Sequence, residues 1–353
     1  MPPVRVMLVD DMALVRSIVG RMLSEDPGIE LVGTAANGRE ALDKLLELKP
    51  DVVVMDVAMP VLDGLTTLRH LMRTQPVPVV MLSARTREGS WETMEALALG
   101  AVDFVAKPSS IAELPLVMAE LAVKIKTAAG VSFKKAPGGE SEQGPKAPDQ
   151  GRRLFKPAPG RARRELVVIG CSTGGPAALQ TIIPAFPADL PAAVVVVQHM
   201  PTGFTGALSE HLAKRSVITV KHAVNGDLVL PGQVLIAPAG SDFYFDGGPG
   251  KLKVSVVNKK RSLAPGSFCP SVDKVMTSAA EHFGEKVLGV LLTGMGRDGA
   301  LGMQEIKKRR GRTIVEAEES CVVFGMPKAA LELGVADKVV PLQDIAQEII
   351  KEL

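Results

Sequence analysis

Short aliphatic runs alternate along the chain with longer stretches in which apolar residues recur at helical spacing. Val4–Val9, Ile29–Ala35, Val52–Met55, Val79–Ser83 and Asp103–Ala106 are dominated by aliphatic side chains. Runs of that kind predict strands covered on both faces, as in parallel sheets. Between them, Leu14–Leu23 and Ala41–Leu48 carry an apolar stripe that predicts amphipathic helices. Five strand–helix units over residues 3–126 predict an α/β fold with a five-stranded, doubly wound parallel sheet and right-handed crossovers.

The pattern stops over residues 127–164. "KKAPGGESEQGPKAPDQG" and the arginine-rich stretch after it hold few apolar residues, so a basic, Pro/Gly-rich linker is expected. Strand–helix alternation resumes at Glu165, with strands predicted at Leu166–Ile169, Val194–Gln198, Val287–Thr293 and Thr313–Glu316. A second parallel-sheet α/β domain is therefore expected over 165–353. Residues 217 to 258 differ. Short β-rich runs are broken by Asn225-Gly226-Asp227, Pro231-Gly232 and Asp246-Gly247-Gly248, which predicts inserted β-hairpins.

Composition narrows the reading. Hydrophobic residues make up 46% of the 353 residues but aromatics only 3%, so two cores of Val, Leu, Ile, Ala and Met are expected. A net charge of +2 argues against a nucleic-acid partner. Cys171, Cys269 and Cys321 stand far apart, without the spacing of a zinc site or a disulfide framework. The start, MPPVRVMLVDD, lacks signal-peptide features, and no apolar run nears the ~18 residues of a membrane span. A cytoplasmic protein without membrane insertion is expected.

Candidate chemistry lies at the carboxyl ends of the predicted strands, where ligands collect in open α/β sheets. In the first half these ends offer Asp10, Asp11, Asp56, Ser83 and Lys107. Three close carboxylates repel unless a cation joins them, and an all-oxygen set suits Mg²⁺. Lys107 and the Ser83 hydroxyl can meet a phosphoryl oxygen. This half resembles the response-regulator receiver family, through Asp10-Asp11, Met55-Asp56, Met59-Pro60, Asp63-Gly64, Ser83-Ala84 and Lys107-Pro108. The resemblance implies phosphorylation of Asp56 by a histidine kinase. It also implies Mg²⁺ held by Asp10, Asp11 and Asp56, and phosphoryl contacts from Ser83 and Lys107. Phe104 matches the aromatic residue that reorients on activation.

In the second half, Ser172 lies in a G-x-S-x-G frame, Gly170–Gly174, where a strand turns into a helix. Such a frame can expose a nucleophilic hydroxyl. It can also be a plain turn or cradle a phosphate, although the P-loop lysine and the GxGxxG spacing are absent. A nucleophilic serine needs a base. Of five histidines, His70 and His211 read as solvated helix residues, His282 as a helix-end charge, and His222 gives no signal. His199 ends a strand on the same edge as Ser172. Asp298 follows a third strand in a Gly-rich turn, so three strand ends offer a serine, an imidazole and a carboxylate. No helix-turn-helix pattern supports a transcription factor. A hydrolase of some other small ester stays open.

Residues 165 to about 350 resemble the catalytic domain of the chemotaxis protein-glutamate methylesterase (CheB) family, through IGCSTGGP, QHMPTGFTGAL, LTGMGRDGALGM and FGMPKAA. The resemblance implies hydrolysis of glutamate methyl esters on chemoreceptors, glutamine deamidation, and control by receiver phosphorylation. It makes Ser172 the nucleophile, His199 the base and Asp298 its orienter, sets Thr173 and Met295 at the rim, and requires no cofactor for the esterase step. Cys269 stands where that family more often has a basic residue.

Overall fold

Each aliphatic run of the first half becomes a buried strand. The elements are β1 (Val4–Val9), α1 (Ala13–Ser24), β2 (Ile29–Ala35), α2 (Gly38–Leu48), β3 (Val52–Asp56), α3 (Gly64–Thr74), β4 (Val79–Ser83), α4 (Arg87–Ala98), β5 (Asp103–Ala106) and α5 (Leu114–Ala128). These come from a computed structural model that describes residues 2–131, 164–247, 252–258 and 268–353. The strands pair parallel in the order β2-β1-β3-β4-β5. Side chains such as Val6, Leu8, Val54 and Val80 are fully buried, each worth roughly 1.5–3 kcal/mol of transfer free energy. The chain reverses direction across the sheet at β1 and β3, so Asp10 and Asp56 flank the crevice there.

The second half forms β6 (Leu166–Cys171), α6 (Gly175–Ile182), β7 (Ala193–Gln198), α7 (Phe204–Ala213), β8 (Thr219–His222), β9 (Gln233–Ile236), β10 (Ser241–Asp246) and β11 (Lys253–Asn258). It continues with α8 (Val272–Phe283), β12 (Val287–Leu291), α9 (Ala300–Lys308), β13 (Arg312–Glu316), α10 (Met326–Glu332), β14 (Lys338–Val340) and α11 (Leu342–Glu352). Seven strands pair parallel in the order β14-β13-β12-β6-β7-β9-β8. β6 is central. The chain leaves it toward β7 on one side and returns as β12 on the other, so the turn after β6 opens into the sheet's switch point.

The 217–258 stretch departs from expectation in part. Only β10 and β11 form an antiparallel hairpin; β8 and β9 join the parallel sheet at its edge. β8, at the edge, alternates half-buried and exposed residues just as a hairpin strand does, and β9 is a four-residue run between turn signals. β14, three residues at the opposite edge, gave no run long enough to read. Most of the expected linker, residues 132–163, lies outside the described residues. Among the described residues no helix is long and apolar enough to cross a membrane.

Candidate active site

Ser172 and His199 follow adjacent strands at the switch point of the second sheet, and Asp298 pairs with His199 there. Cys171 and Gln198 are the last paired residues of β6 and β7, so Ser172 and His199 are the next residues on adjacent strands. The His199 amide donates to Cys171 O at 3.0 Å, and Ser172 N–H donates to Thr293 O at 3.1 Å. The Ser172 turn is thereby tied to the strand ends on either side. Gly294 is needed for the approach from β12, because a Cβ there would lie 2.8 Å from Ser172 Cβ. Gly174 caps α6 at φ +79°, a left-handed conformation that bends the chain sharply after Ser172.

His199 and Asp298 are joined. His199 Nε2 lies 2.9 Å from Asp298 Oδ2. His199 Nδ1 is buried and has no partner among the described residues. With Nε2–H donating to the carboxylate, Nδ1 carries the lone pair, so a proton-accepting nitrogen sits in the site. Asp298 also accepts from Ser271 Oγ (2.8 Å), Val272 N (2.7 Å) and Asp273 N (2.9 Å). Burial alone would raise the Asp298 carboxyl. The His199 hydrogen bond and these amides outweigh it and hold the group at about 2. Phe268 stacks on the His199 ring, centroids 3.9 Å apart and planes 5° from parallel.

At the carboxyl edge of the first sheet, one carboxylate oxygen from each of Asp10, Asp11 and Asp56 lies within 4.8 Å of the others. Lys107 Nζ is 2.8 Å from both Asp10 Oδ2 and Asp56 Oδ2. Burial raises the Asp56 carboxyl and Lys107 only partly offsets this, so a further cation would relieve the site. The all-oxygen donor set fits Mg²⁺. The Ser83 hydroxyl is turned into α4, accepting from Thr93 Oγ1 at 2.5 Å and donating to Gly89 O at 3.1 Å. Phe104 is buried and packs on Phe204, ring centroids 4.6 Å apart.

Residues 167–349 match the CheB methylesterase family, and residues 6–119 match the response regulator receiver domain. The chain belongs to the CheB methylesterase family. It is 44% identical over its whole length to a protein-glutamate methylesterase/protein-glutamine glutaminase 1 of Syntrophomonas wolfei, all of which is covered. It is 46% identical, over 99% of this chain and 98% of the relative, to a protein-glutamate methylesterase/protein-glutamine glutaminase of Archaeoglobus fulgidus. The crystal structure of the Thermotoga maritima CheB methylesterase catalytic domain aligns with a TM-score of 0.52 at 42% identity, covering 54% of this chain and all of that one.

The receiver of this CheB-family chain packs directly against the esterase turn. Thr173 Oγ1, next to Ser172, donates to Asp103 Oδ2 of β5 at 2.6 Å, and both side chains are buried. Asp103 also accepts from Lys124 of α5 at 3.2 Å, and Lys124 donates to Phe104 O at 2.6 Å. Burial would lower Lys124, but the Asp103 and Glu120 carboxylates outweigh it and hold it above its ordinary value. At the rim, Thr127 Oγ1 lies 3.7 Å from Met295 Sδ. α4 closes the seam: Trp91 lies 5.2 Å from the His211 ring, with Lys214 Nζ 3.9 Å from the Trp91 ring centroid.

Several contributors escaped the sequence reading. His211 is not solvated: it is buried against Trp91 and lies 3.3 Å from Gln180 Oε1. Its helix faces the receiver, which single-chain periodicity does not reveal. Gln198, buried, donates from Nε2 to Ser172 O (2.8 Å) and His199 O (2.9 Å), clasping the two turns together. Ser271 carried a readable signal, as an N-cap residue before the Val272–Val275–Met276–Ala279 stripe. Its second bond, to Asp298, did not. Cys269 is half-buried, its Sγ 3.7 Å from Asp242 Oδ1.

Proposed function

We propose that this chain is a phosphorylation-controlled serine esterase. It hydrolyses γ-glutamyl methyl esters on the cytoplasmic helices of chemoreceptors, and deamidates receptor glutamines with the same groups. The observation that carries the reading is the His199 Nε2–Asp298 bond with a buried, unpartnered Nδ1 one strand from Ser172. The relatives named above as methylesterase/glutaminase support the substrate class.

In this reaction Ser172 Oγ attacks the ester carbonyl and its proton passes to His199 Nδ1. The hydroxyl turns toward Nδ1, the nitrogen left without a partner, as substrate enters. Asp298 holds the ring and stabilises the imidazolium. Amides of the turn into α6 carry the oxyanion, a contribution typically worth about 3–4 kcal/mol. The C–O bond to methoxide breaks, His199 returns the proton and methanol leaves. Water, deprotonated by His199, then hydrolyses the glutamyl–Ser172 ester.

Control runs through Asp56, with a histidine kinase as phosphodonor. Asp10, Asp11 and Asp56 would hold Mg²⁺, which supplies charge neutralisation for phosphoryl transfer. Lys107 meets the phosphoryl oxygen, and Ser83 leaves Thr93 to do the same. In the unphosphorylated chain the receiver occupies Thr173 through Asp103 and touches the rim at Met295. Phe104 couples the two sites, since its carbonyl binds the same lysine that pairs with Asp103. The domains assigned are a receiver at 3–126, whose last helix runs on to Ala128, a linker over the rest of 127–164 and the esterase at 165–353.

Methanol release from methylated receptor membranes tests the whole reading. Wild type is expected to release methanol faster with acetyl phosphate than without, and Ser172→Ala to release none in either case. Near-wild-type release by Ser172→Ala would exclude the mechanism.

A further inference from the structure

The stretch from Phe268 to Asp273 touches the imidazole of the site at its first residue and the carboxylate at its last three, yet none of it is part of the triad. Phe268 lies flat on one face of His199. Ser271 Oγ and the amides of Val272 and Asp273, at the start of α8, take three of the four hydrogen bonds that Asp298 accepts. The contact is returned. Asp273 Oδ1 accepts from Gly299 N at 2.8 Å and Gly302 N at 2.7 Å, at the start of α9. Each carboxylate therefore sits on the amide end of the other's helix, where negative charge is favoured.

We propose that residues 268–273 form a strap that sets the catalytic geometry of His199 and Asp298, with Ser271, Asp273 and Phe268 as positioning residues. The inference rests on the triad reading above. Two constraints are needed to fix an imidazole: its plane, and its rotation within that plane. Phe268 supplies the first. Asp298 supplies the second, but only if its own carboxylate cannot rotate. Ser271 Oγ and Asp273 N hold Oδ1, which leaves Oδ2 aimed at Nε2. The Asp273 carboxylate pins the start of α9, and with it the Gly299 turn that carries Asp298.

The test uses full-length protein treated with acetyl phosphate, with methanol release followed across a range of receptor-membrane concentrations. Ser271→Ala removes the side-chain donor to Asp298. Its kcat is expected to fall roughly 10- to 100-fold with KM within about 2-fold, as for loss of a hydrogen bond to a charged group. Ser271→Thr keeps the hydroxyl and is expected to restore kcat to within about 3-fold of wild type. Threonine would restore the cap of α8 as well, so it is the split, kcat falling while KM holds, that assigns the loss to Asp298 rather than to a loosened α8. Wild-type kcat in Ser271→Ala, or equal impairment in Ser271→Thr, overturns the strap. If Ser271→Ala does not fold, Phe268→Leu carries the test: a several-fold fall in kcat supports the strap, and unchanged kcat overturns it. Ser172→Ala in the same assay separates the two levels. Activity retained there sinks the triad itself; activity lost there, with Ser271→Ala unimpaired, sinks only the strap.

Discussion

Asp298 accepts four hydrogen bonds in a part-buried site. It is therefore ionised from about pH 2 upward. Because its native value lies below its unfolded one, the stability it contributes is fully present above about pH 4 and is lost as pH falls toward about 2. Asp273 pulls the other way, since burial and then the nearby Asp298 charge raise its carboxyl. The kinetic prediction is sharper. Asp298→Asn keeps the shape but removes the charge that selects the Nε2–H tautomer. Methanol release is expected to fall on the order of 10⁴-fold, the scale set by the same change in a serine-protease triad. A loss under tenfold would mean that Asp298 does not orient His199. At this scale the sequence was generous. Ser172 and His199 were legible as candidates because each ends an aliphatic run beside a Gly or Pro break, and Asp298 because it lies in the Gly-rich turn after one. Gln198, Phe268 and Asp273 were not, because their roles depend on which neighbour each reaches in three dimensions.

The informative elements are those where one sheet's helices meet the other's. β5 brings Asp103 to Thr173, and α4 lays Trp91 over His211 of α7. Burial, then the neighbouring Arg215 and Lys214 charges, lower His211 to about 4. A histidine held below its unfolded value contributes stability above about pH 6.5 that is lost as pH falls toward about 4, so mild acid works against this seam. Trp91 belongs neither to the acidic cluster of Asp10, Asp11 and Asp56 nor to the Ser172 site. Trp91→Ala is expected to raise the esterase rate of the unphosphorylated protein at least several-fold, while leaving the acetyl-phosphate-treated rate within about 2-fold of wild type. An unchanged unphosphorylated rate would show that the α4–α7 contact does not restrain the site. The strands were legible from their Val-rich runs, and α1 and α2 from their stripes. β8 was misread because a wet edge strand and a hairpin strand share one period, and β9 because its four residues stand between turn signals. The seam was invisible, because a helix face that packs on another domain reads like any other apolar stripe.

For the molecule as a whole, the account joins a phosphoacceptor cluster on one sheet edge to a serine site on another, through β5 and its buried Asp103–Lys124 pair. That pair is weak support for stability alone, since desolvation offsets much of its attraction. Its position suits a coupling device better: whatever moves Phe104 disturbs the lysine that pairs with the Thr173 acceptor. The two-domain plan was legible from the break in pattern after residue 126, and the docking was not, because no local signal encodes which face of one domain meets the other. The central claim is that Ser172 is the nucleophile and that the receiver controls access to it. Covalent labelling of full-length protein with a small sulfonyl or phosphonyl fluoride, mapped by mass spectrometry with and without acetyl phosphate, tests it most directly. The account predicts a single modified residue, Ser172, labelled faster after phosphorylation at Asp56. Labelling at another residue with Ser172 untouched, or the same Ser172 rate in both states, would contradict it.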